Sequence, residues 1–346
     1  MTTIYITEQD ADLKVQFNYL KVFHEQKQCV SIRINNVSQI IVFSNIKLPN
    51  EVIKAVVAHQ IPVLYITPFG EIIGRLEKTS QRQYKYLGLQ RQCLRNLELR
   101  RAMAESMIWA KLHNQHIFLQ SWTRHYADYT TQRALNYLTL LMDNLSIATS
   151  LEELREYSEE ADKVYYSAVM ALVSFHNLCS HIHQKQINGF FHLGYQLLHQ
   201  YVYTLLDTVG LHPDYGIIHP RGDDDLPLVW DLASEFRAPI VDDLVLHFAR
   251  NFAHTNGNGN GKGRPHTILQ RFLQCWEGKL KTFVLHPDGG EVSYRQCMNL
   301  QVREYISCLL GDVEYYRPLA LKFHPAHSDV ADAVAPVPVP LKLVKS

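Results

Sequence analysis

His219 closes a turn-rich stretch, GLHPDYGIIH, and stands just before an acidic run and an amphipathic segment, DLPLVWDLASEFR. Gly210, Pro213 and Gly216 favour turns over regular helix, so His219 is expected on a loop that leaves a helix end. Leu226 to Arg237 reads as a helix whose Leu228, Val229, Leu232 and Phe236 share one apolar face. Asp231 and Glu235 lie one turn apart on it and are expected to point the same way. A loop imidazole beside two helical carboxylates is a donor set for a hard divalent cation, because Mg2+ and Mn2+ take oxygen ligands and Mn2+ also accepts imidazole. The same residues have a plainer reading: Asp223, Asp224 and Asp225 as a solvated loop, His219 as a satisfied, partly buried histidine, Asp231 and Glu235 as helix surface. On spacing alone the plainer reading is the commoner one.

The elements that must position these groups divide the chain in two. Residues 1 to about 78 alternate short β-branched and aromatic runs (IYI, CVSIRI, QIIVFS, VLYIT, EIIGRL) with turn residues, interrupted by one helix at Glu51 to His59. From about Gln81 onward the periodicity is long and helical, so strand-rich and helical parts segregate. The segment HTNGNGNGKGRPH, His254 to His266, reads as a flexible surface loop, and the Ala-, Pro- and Val-rich end reads as a disordered tail.

Lys and Arg balance Asp and Glu at 34 each, so no global field draws the chain to nucleic acid and any such attraction must be local. Arg75, Lys78, Arg82, Lys85, Arg91 and Arg95, continued by Arg100 and Arg101, form a basic strip along which a phosphate backbone fits, with Tyr84 and Tyr86 for stacking; an ordinary solvated helix face is the alternative. The six cysteines are dispersed without a CxxC pair, a pattern of reduced thiols in the cytoplasm. HNLCSHIH at His176 to His183 lacks a second cluster with metal-ligand spacing, which argues against zinc. The N-terminus lacks the basic start and apolar core of a signal peptide, and no apolar run is long enough to span a membrane.

Three ordered blocks surround His219. Asn188 to Leu198 reads NGFFHLGYQLL, GLHPDYGIIH follows, and DLASEFRAPIVDD spans Asp231 to Asp243; GGEVSYRQCMNLQVREYISCLLG and YYRP come near the end. These blocks resemble the signature of the CRISPR-associated protein 1 family, the DNA integrase and endonuclease of CRISPR spacer acquisition. The resemblance implies an α+β fold with an N-terminal β-rich domain followed by a larger all-helical C-terminal domain. Residues 1–78 are then the dimerisation domain, 79–90 a linker, 91–324 the catalytic and DNA-binding domain, and 325–346 the tail. It further implies a homodimer, a bridging dimer of the small CRISPR-associated protein 2, double-stranded DNA fragments and a CRISPR repeat as partners, and Mg2+ or Mn2+ as cofactor. Asn188 would cap the helix under the site, Gly194 would allow close packing, Tyr195 would help to shape that helix, and Arg237 would face a DNA phosphate or pair with Asp242 or Asp243.

The family's metal ligands are a glutamate on the first long helix, a histidine, and an acidic residue one turn after an aspartate. His219 fills the second place. Aligning EYSEEADKVYY on Lys163 and the Tyr165-Tyr166 pair puts Ser158 at the first, with Glu159 and Glu160 beside it, and Ser234 stands at the third, followed by Glu235. Two readings follow. One is a metal-dependent integrase using His219, Asp231, Glu235 and Glu159 or Glu160; the other is a catalytically impaired relative that binds DNA and its assembly partners as a scaffold.

Overall fold

A computed structural model describes residues 2–8, 10–43, 46–76, 84–124, 128–176, 178, 183–220, 226–255, 265–287 and 289–321. Strand β1 (Thr2–Ile6) leads into an antiparallel sheet of β2 (Asp12–Gln16), β3 (Tyr19–His24) and β4 (Lys27–Arg33). Phe17-Asn18 and Glu25-Gln26, all with positive φ, make the two tight turns of that meander. Strand β5 (Val37–Val42), helix α1 (Asn50–Ala58), β6 (Val63–Ile66) and β7 (Ile72–Leu76) follow. They complete a four-stranded sheet in the order β1-β5-β6-β7, parallel except for the β6–β7 pair.

Strands β1, β5 and β6 of this sheet are buried on both faces, which is why they read as unbroken apolar runs, whereas β7 at the edge is largely exposed. Ile4, Ile6, Ile40 and Val42 turn into a core shared with the β2–β4 meander and α1. The alternate residues Tyr5, Ile41, Phe43, Leu64 and Ile66 join the helical core. A polar seam accompanies that contact: Tyr5 donates to Glu277 Oε1 at 2.7 Å, and Thr204 and Gln200 donate to Gln39 Oε1 at 2.8 and 3.3 Å.

The helical region comprises α2 (Leu87–Arg95), α3 (Leu97–Thr123), α4 (Tyr129–Asn144), α5 (Leu151–Phe175), α6 (Gln184–Val209), α7 (Pro227–Phe236), α8 (Asp243–Thr255), α9 (Pro265–Lys281) and α10 (Tyr294–Leu310). Asn96, Asp128, Ser150 and Ser293 each accept a backbone N–H at the start of α3, α4, α5 and α10. Helix α3 is the central pillar, packed against α4, α5 and α7.

Three details differ from the sequence expectations. The C-terminal region is not wholly helical, because β8 (Phe283–His286) and β9 (Gly290–Ser293) form a hairpin between α9 and α10. Helix α2 begins inside the expected linker, its N-terminal approach held by the Tyr86 N–H on the Gly210 carbonyl. Asn188 is no cap: α6 starts several residues earlier at His183, and Asn188 is exposed within the helix, accepting from Gln184. Residues 77–83, most of the Asn-Gly segment and the tail lie outside the described residues. Among the described residues no helix is long and apolar enough to cross a membrane, and Cys29, Cys93, Cys275, Cys297 and Cys308 are free thiols.

Helix α7 passes into α8 through a widened π-type turn, Arg237–Asp242, that contains Pro239. Proline has no N–H to return to the carbonyl four residues earlier, so the Glu235 carbonyl needs another donor. Asn114 of α3 supplies it at 2.9 Å. The same turn brings Val241 against Gly194 of α6, where an added Cβ would stand 2.6 Å from Val241 Cγ1. Gly194→Ala is therefore expected to cost about 1–3 kcal/mol through overpacking. Gly88→Ala on α2, where an added Cβ meets nothing within 4 Å, should be neutral or stabilising by up to about 1 kcal/mol; urea unfolding midpoints of the two variants check the contrast.

Candidate active site

The site is built around a carboxylate that has no access to water. Asp231, in α7, is fully buried. Its Oδ2 accepts the amides of Ile217 at 2.5 Å and Ile218 at 3.0 Å, and its Oδ1 accepts the amide of His219 at 3.3 Å and the ring Nδ1 at 2.6 Å. The loop comes this close because residue 216 is glycine: a Cβ there would lie 2.5 Å from Pro227 Cβ and 2.9 Å from Asp231 Oδ2. From the other side, Arg100 Nε donates to the Ile217 carbonyl at 2.9 Å and Arg155 Nε to the Ile218 carbonyl. Amides bound to a carboxylate and carbonyls bound to two guanidiniums fix the loop from both sides.

A carboxylate only accepts, so the proton of the neutral ring sits on Nδ1 and Nε2 keeps its lone pair. The His219 side chain is half exposed, at 50%, against a fully buried Asp231. Trp230 lies beside the ring at 6.4 Å between centroids. An imidazole oriented in this way is suited to taking a proton at Nε2 and, once it holds that proton, to giving it back or donating a hydrogen bond to a nearby oxygen.

The other expected ligands do not gather here. Glu235 is fully buried and accepts from Tyr316 at 2.5 Å, from the Leu319 amide at 2.9 Å and from Gln301 at 3.1 Å, which ties the Tyr-Arg-Pro segment to α7. Burial pushes its carboxyl up to about 7, against the opposing pull of those donors. The one-turn spacing of Asp231 and Glu235 is present, but every residue of α7 except Trp230 is buried, and both carboxylates are committed to protein donors. Glu160 pairs with Lys163 at 2.8 Å on the outer side of α5, and Glu159 is exposed. Ser158 accepts from Lys111 at 2.8 Å, and Ser234 donates to the Asp231 carbonyl at 2.6 Å. Among the described residues no three His, Cys, Asp or Glu side chains form a cation-binding group. The residues present do not fit a resident Mg2+ or Mn2+; Asp223, Asp224 and Asp225 lie outside the described residues.

Of the basic strip, Arg75 lies over the Tyr203 ring at 4.5 Å, Lys85 is exposed over Tyr86, Arg91 donates to Tyr215 at 3.1 Å, and Arg95 is exposed. Lys78 and Arg82 fall outside the described residues. Arg237 pairs with neither Asp242 nor Asp243. Its guanidinium stacks on Trp230 at 4.5 Å and stands 3.2 Å from His199 Nε2. Asp242 accepts from Tyr165 at 2.6 Å and Tyr195 at 2.5 Å, and Lys279 takes Asp243 at 2.6 Å. Sequence reasoning placed Arg100 in the basic strip and not on the loop carbonyl it holds, and it missed Arg155, Lys111 and Asp162. Only the helical phase of Arg155, Ser158 and Asp162 pointed to the last of these.

Burial also lifts the Asp242 carboxyl to about 7. A carboxyl raised in the folded state binds protons more tightly than in the unfolded chain. The stability that this contributes is complete below the ordinary carboxylate range and is lost as the pH rises through about 7. Stability is therefore expected to fall by a few kcal/mol between about pH 5 and pH 8. Glu235→Gln should flatten that slope in urea titrations at the two pH values.

The family model described as CRISPR associated protein Cas1 matches residues 4–269. A CRISPR-associated endonuclease Cas1 of Saccharolobus solfataricus is 26% identical over 331 residues, covering 92% of this chain and 84% of its own. Among solved structures, a casposase bound to integration product aligns with a TM-score of 0.72 at 17% identity, over 94% of this chain and 95% of that one. A chain of a Cas6-RT-Cas1–Cas2 complex aligns with a TM-score of 0.74 at 16% identity, over 93% of this chain and 36% of that one. At such identities the two structures establish the shared fold, while the family match spans well over half of the sequence: the chain belongs to the CRISPR-associated Cas1 family.

Proposed function

We propose that this chain serves CRISPR adaptation as a DNA endonuclease and integrase, joining captured DNA fragments to the edge of a CRISPR repeat. The observation that carries this reading is the His219–Asp231 pair, presented on a loop clamped by Arg100 and Arg155. In the reaction a 3′ hydroxyl attacks a phosphodiester, one P–O bond forms as another breaks, and the count of phosphodiesters is unchanged, so no external energy source is needed. His219 Nε2 takes the proton of the attacking hydroxyl, and Asp231 stabilises the imidazolium that results. Lys85, Arg91 and Arg95 give a DNA backbone an exposed cationic approach, with Lys78 and Arg82 continuing the strip in sequence. The name of the casposase neighbour, bound to integration product, and the Cas1–Cas2 assembly of the other neighbour support DNA and Cas2 as partners, Cas2 being proposed to act as a dimer. The strand-rich N-terminal region is the proposed homodimer contact, and the cytoplasm the proposed compartment.

A second reading, a DNA-binding scaffold subunit that does not join strands, is favoured by one observation: hydroxyls, already hydrogen-bonded to protein groups, stand at Ser158 and Ser234 where the resemblance places carboxylate ligands. A strand-transfer assay on branched and repeat-containing DNA, with Cas2 present, separates the two. Joining that falls at least about 100-fold in His219→Ala, with salt-sensitive DNA binding retained, is the expected result. DNA binding without joining across divalent cations would leave the scaffold reading in its place.

A further inference from the structure

The strip of α5 that faces the His219 loop carries a protein cation. Arg155 reaches the Ile218 carbonyl, and Ser158 and Asp162 continue the same face by successive turns. Into this strip Lys111 enters from α3, its side chain only 8% exposed. Its Nζ donates to Ser158 Oγ at 2.8 Å, to the Ser158 carbonyl at 3.3 Å and to Asp162 Oδ2 at 2.7 Å. The second oxygen of Asp162 accepts from Gln115 at 3.0 Å. Asp162 is thus compensated by the ammonium and has both oxygens engaged. Burial pulls Lys111 down from the usual lysine range, and Asp162 opposes that pull. A lysine held as an ion pair is not a base for Ser158, so the trio is not a nucleophilic dyad.

On α7 the Ser234 hydroxyl is turned back onto its own helix, and Asp231 is filled by three amides and the imidazole. The charges that act on Lys111 include, besides Asp162, a second cation, Arg237, which repels it, and the exposed acid Glu159. Among the described residues, a divalent ion at the family's three ligand positions would meet the imidazole of His219 and the neutral hydroxyls of Ser158 and Ser234. The ammonium of Lys111 and the Arg155 guanidinium would oppose it.

We propose that this chain has lost the resident divalent-ion site at His219, the serines at 158 and 234 withholding the carboxylates while the Lys111–Asp162 pair fills the space they would command. Only the placing of those two positions rests on the Cas1-family reading. The test needs neither DNA nor activity, so its failure is distinguishable from failure of the proposed function.

Mn2+ binding to the full-length protein is measured by electron paramagnetic resonance and calorimetry in wild type, His219→Ala, Ser158→Glu/Ser234→Asp, and that double variant with His219→Ala added. Thermal unfolding establishes that each variant is folded. The expected result is no His219-dependent Mn2+ binding in wild type, and a gain of at least about 10-fold in affinity in the double variant that is lost when His219 is removed. Stoichiometric Mn2+ binding by wild type that disappears in His219→Ala overturns the proposal. A folded double variant that binds Mn2+ no better than wild type also overturns it, because the two serines would then not be what removes the site.

Discussion

The structure around the site depends on one buried anion. Asp231 takes four hydrogen bonds from three successive loop residues, Ile217 to His219, and those bonds replace the hydration that a carboxylate loses in the core. Everything functional about His219 is inherited from that arrangement: its tautomer, the direction of its free nitrogen and the rigidity of the backbone that carries it. The guanidiniums of Arg100 and Arg155 complete the arrangement from the carbonyl side, so that residues from α3, α5 and α7 all converge on two peptide units. The histidine proposed as catalytic is thus held on its loop through both its ring nitrogen and its backbone amide.

Much of this was legible in the residues and some of it was not. The turn signals of Gly210, Pro213 and Gly216 correctly placed His219 on a loop, the apolar period of Leu228, Val229, Leu232 and Phe236 correctly gave a helix, and Gly194 packs as closely as expected. Periodicity also separated the strands from the helices. What spacing does not carry is which polar atom satisfies which. Asp231 and Glu235 share a helical phase, yet one serves the loop and the other serves the Tyr-Arg-Pro segment, because every residue of α7 except Trp230 is buried and both carboxylates face protein. Asn188 has the chemistry of a cap but the wrong position, since the helix starts before it. The β8–β9 hairpin was hidden by its short strands, which lack a long alternating pattern.

The widened turn after α7 shows how one residue's limitation propagates. Pro239 cannot bond the Glu235 carbonyl, Asn114 does so in its place, and the same asparagine donates to the Leu319 carbonyl at 2.9 Å and accepts the Leu321 amide at 3.0 Å. The side chain of Glu235 meets Tyr316 and the Leu319 amide from the same quarter. Helices α3 and α7 and the Tyr-Arg-Pro segment are therefore joined at a single polar node, which explains why such a late segment of the chain belongs to the architecture of the site.

Glu277 lies nearly inaccessible between the first strand and the last helix, accepting the Tyr5 hydroxyl on one oxygen and Arg295 at 2.6 Å on the other. One acid thereby closes a circuit between the two ends of the polypeptide, across the sheet-to-helix contact. Prising the strand layer away would leave Glu277 paired with Arg295 but take the Tyr5 hydroxyl from it and bare the apolar faces of β1 and β5. The strand layer is thus fastened to the helical bundle by an apolar face with one phenol hydroxyl reaching through it to an ion pair between two helices.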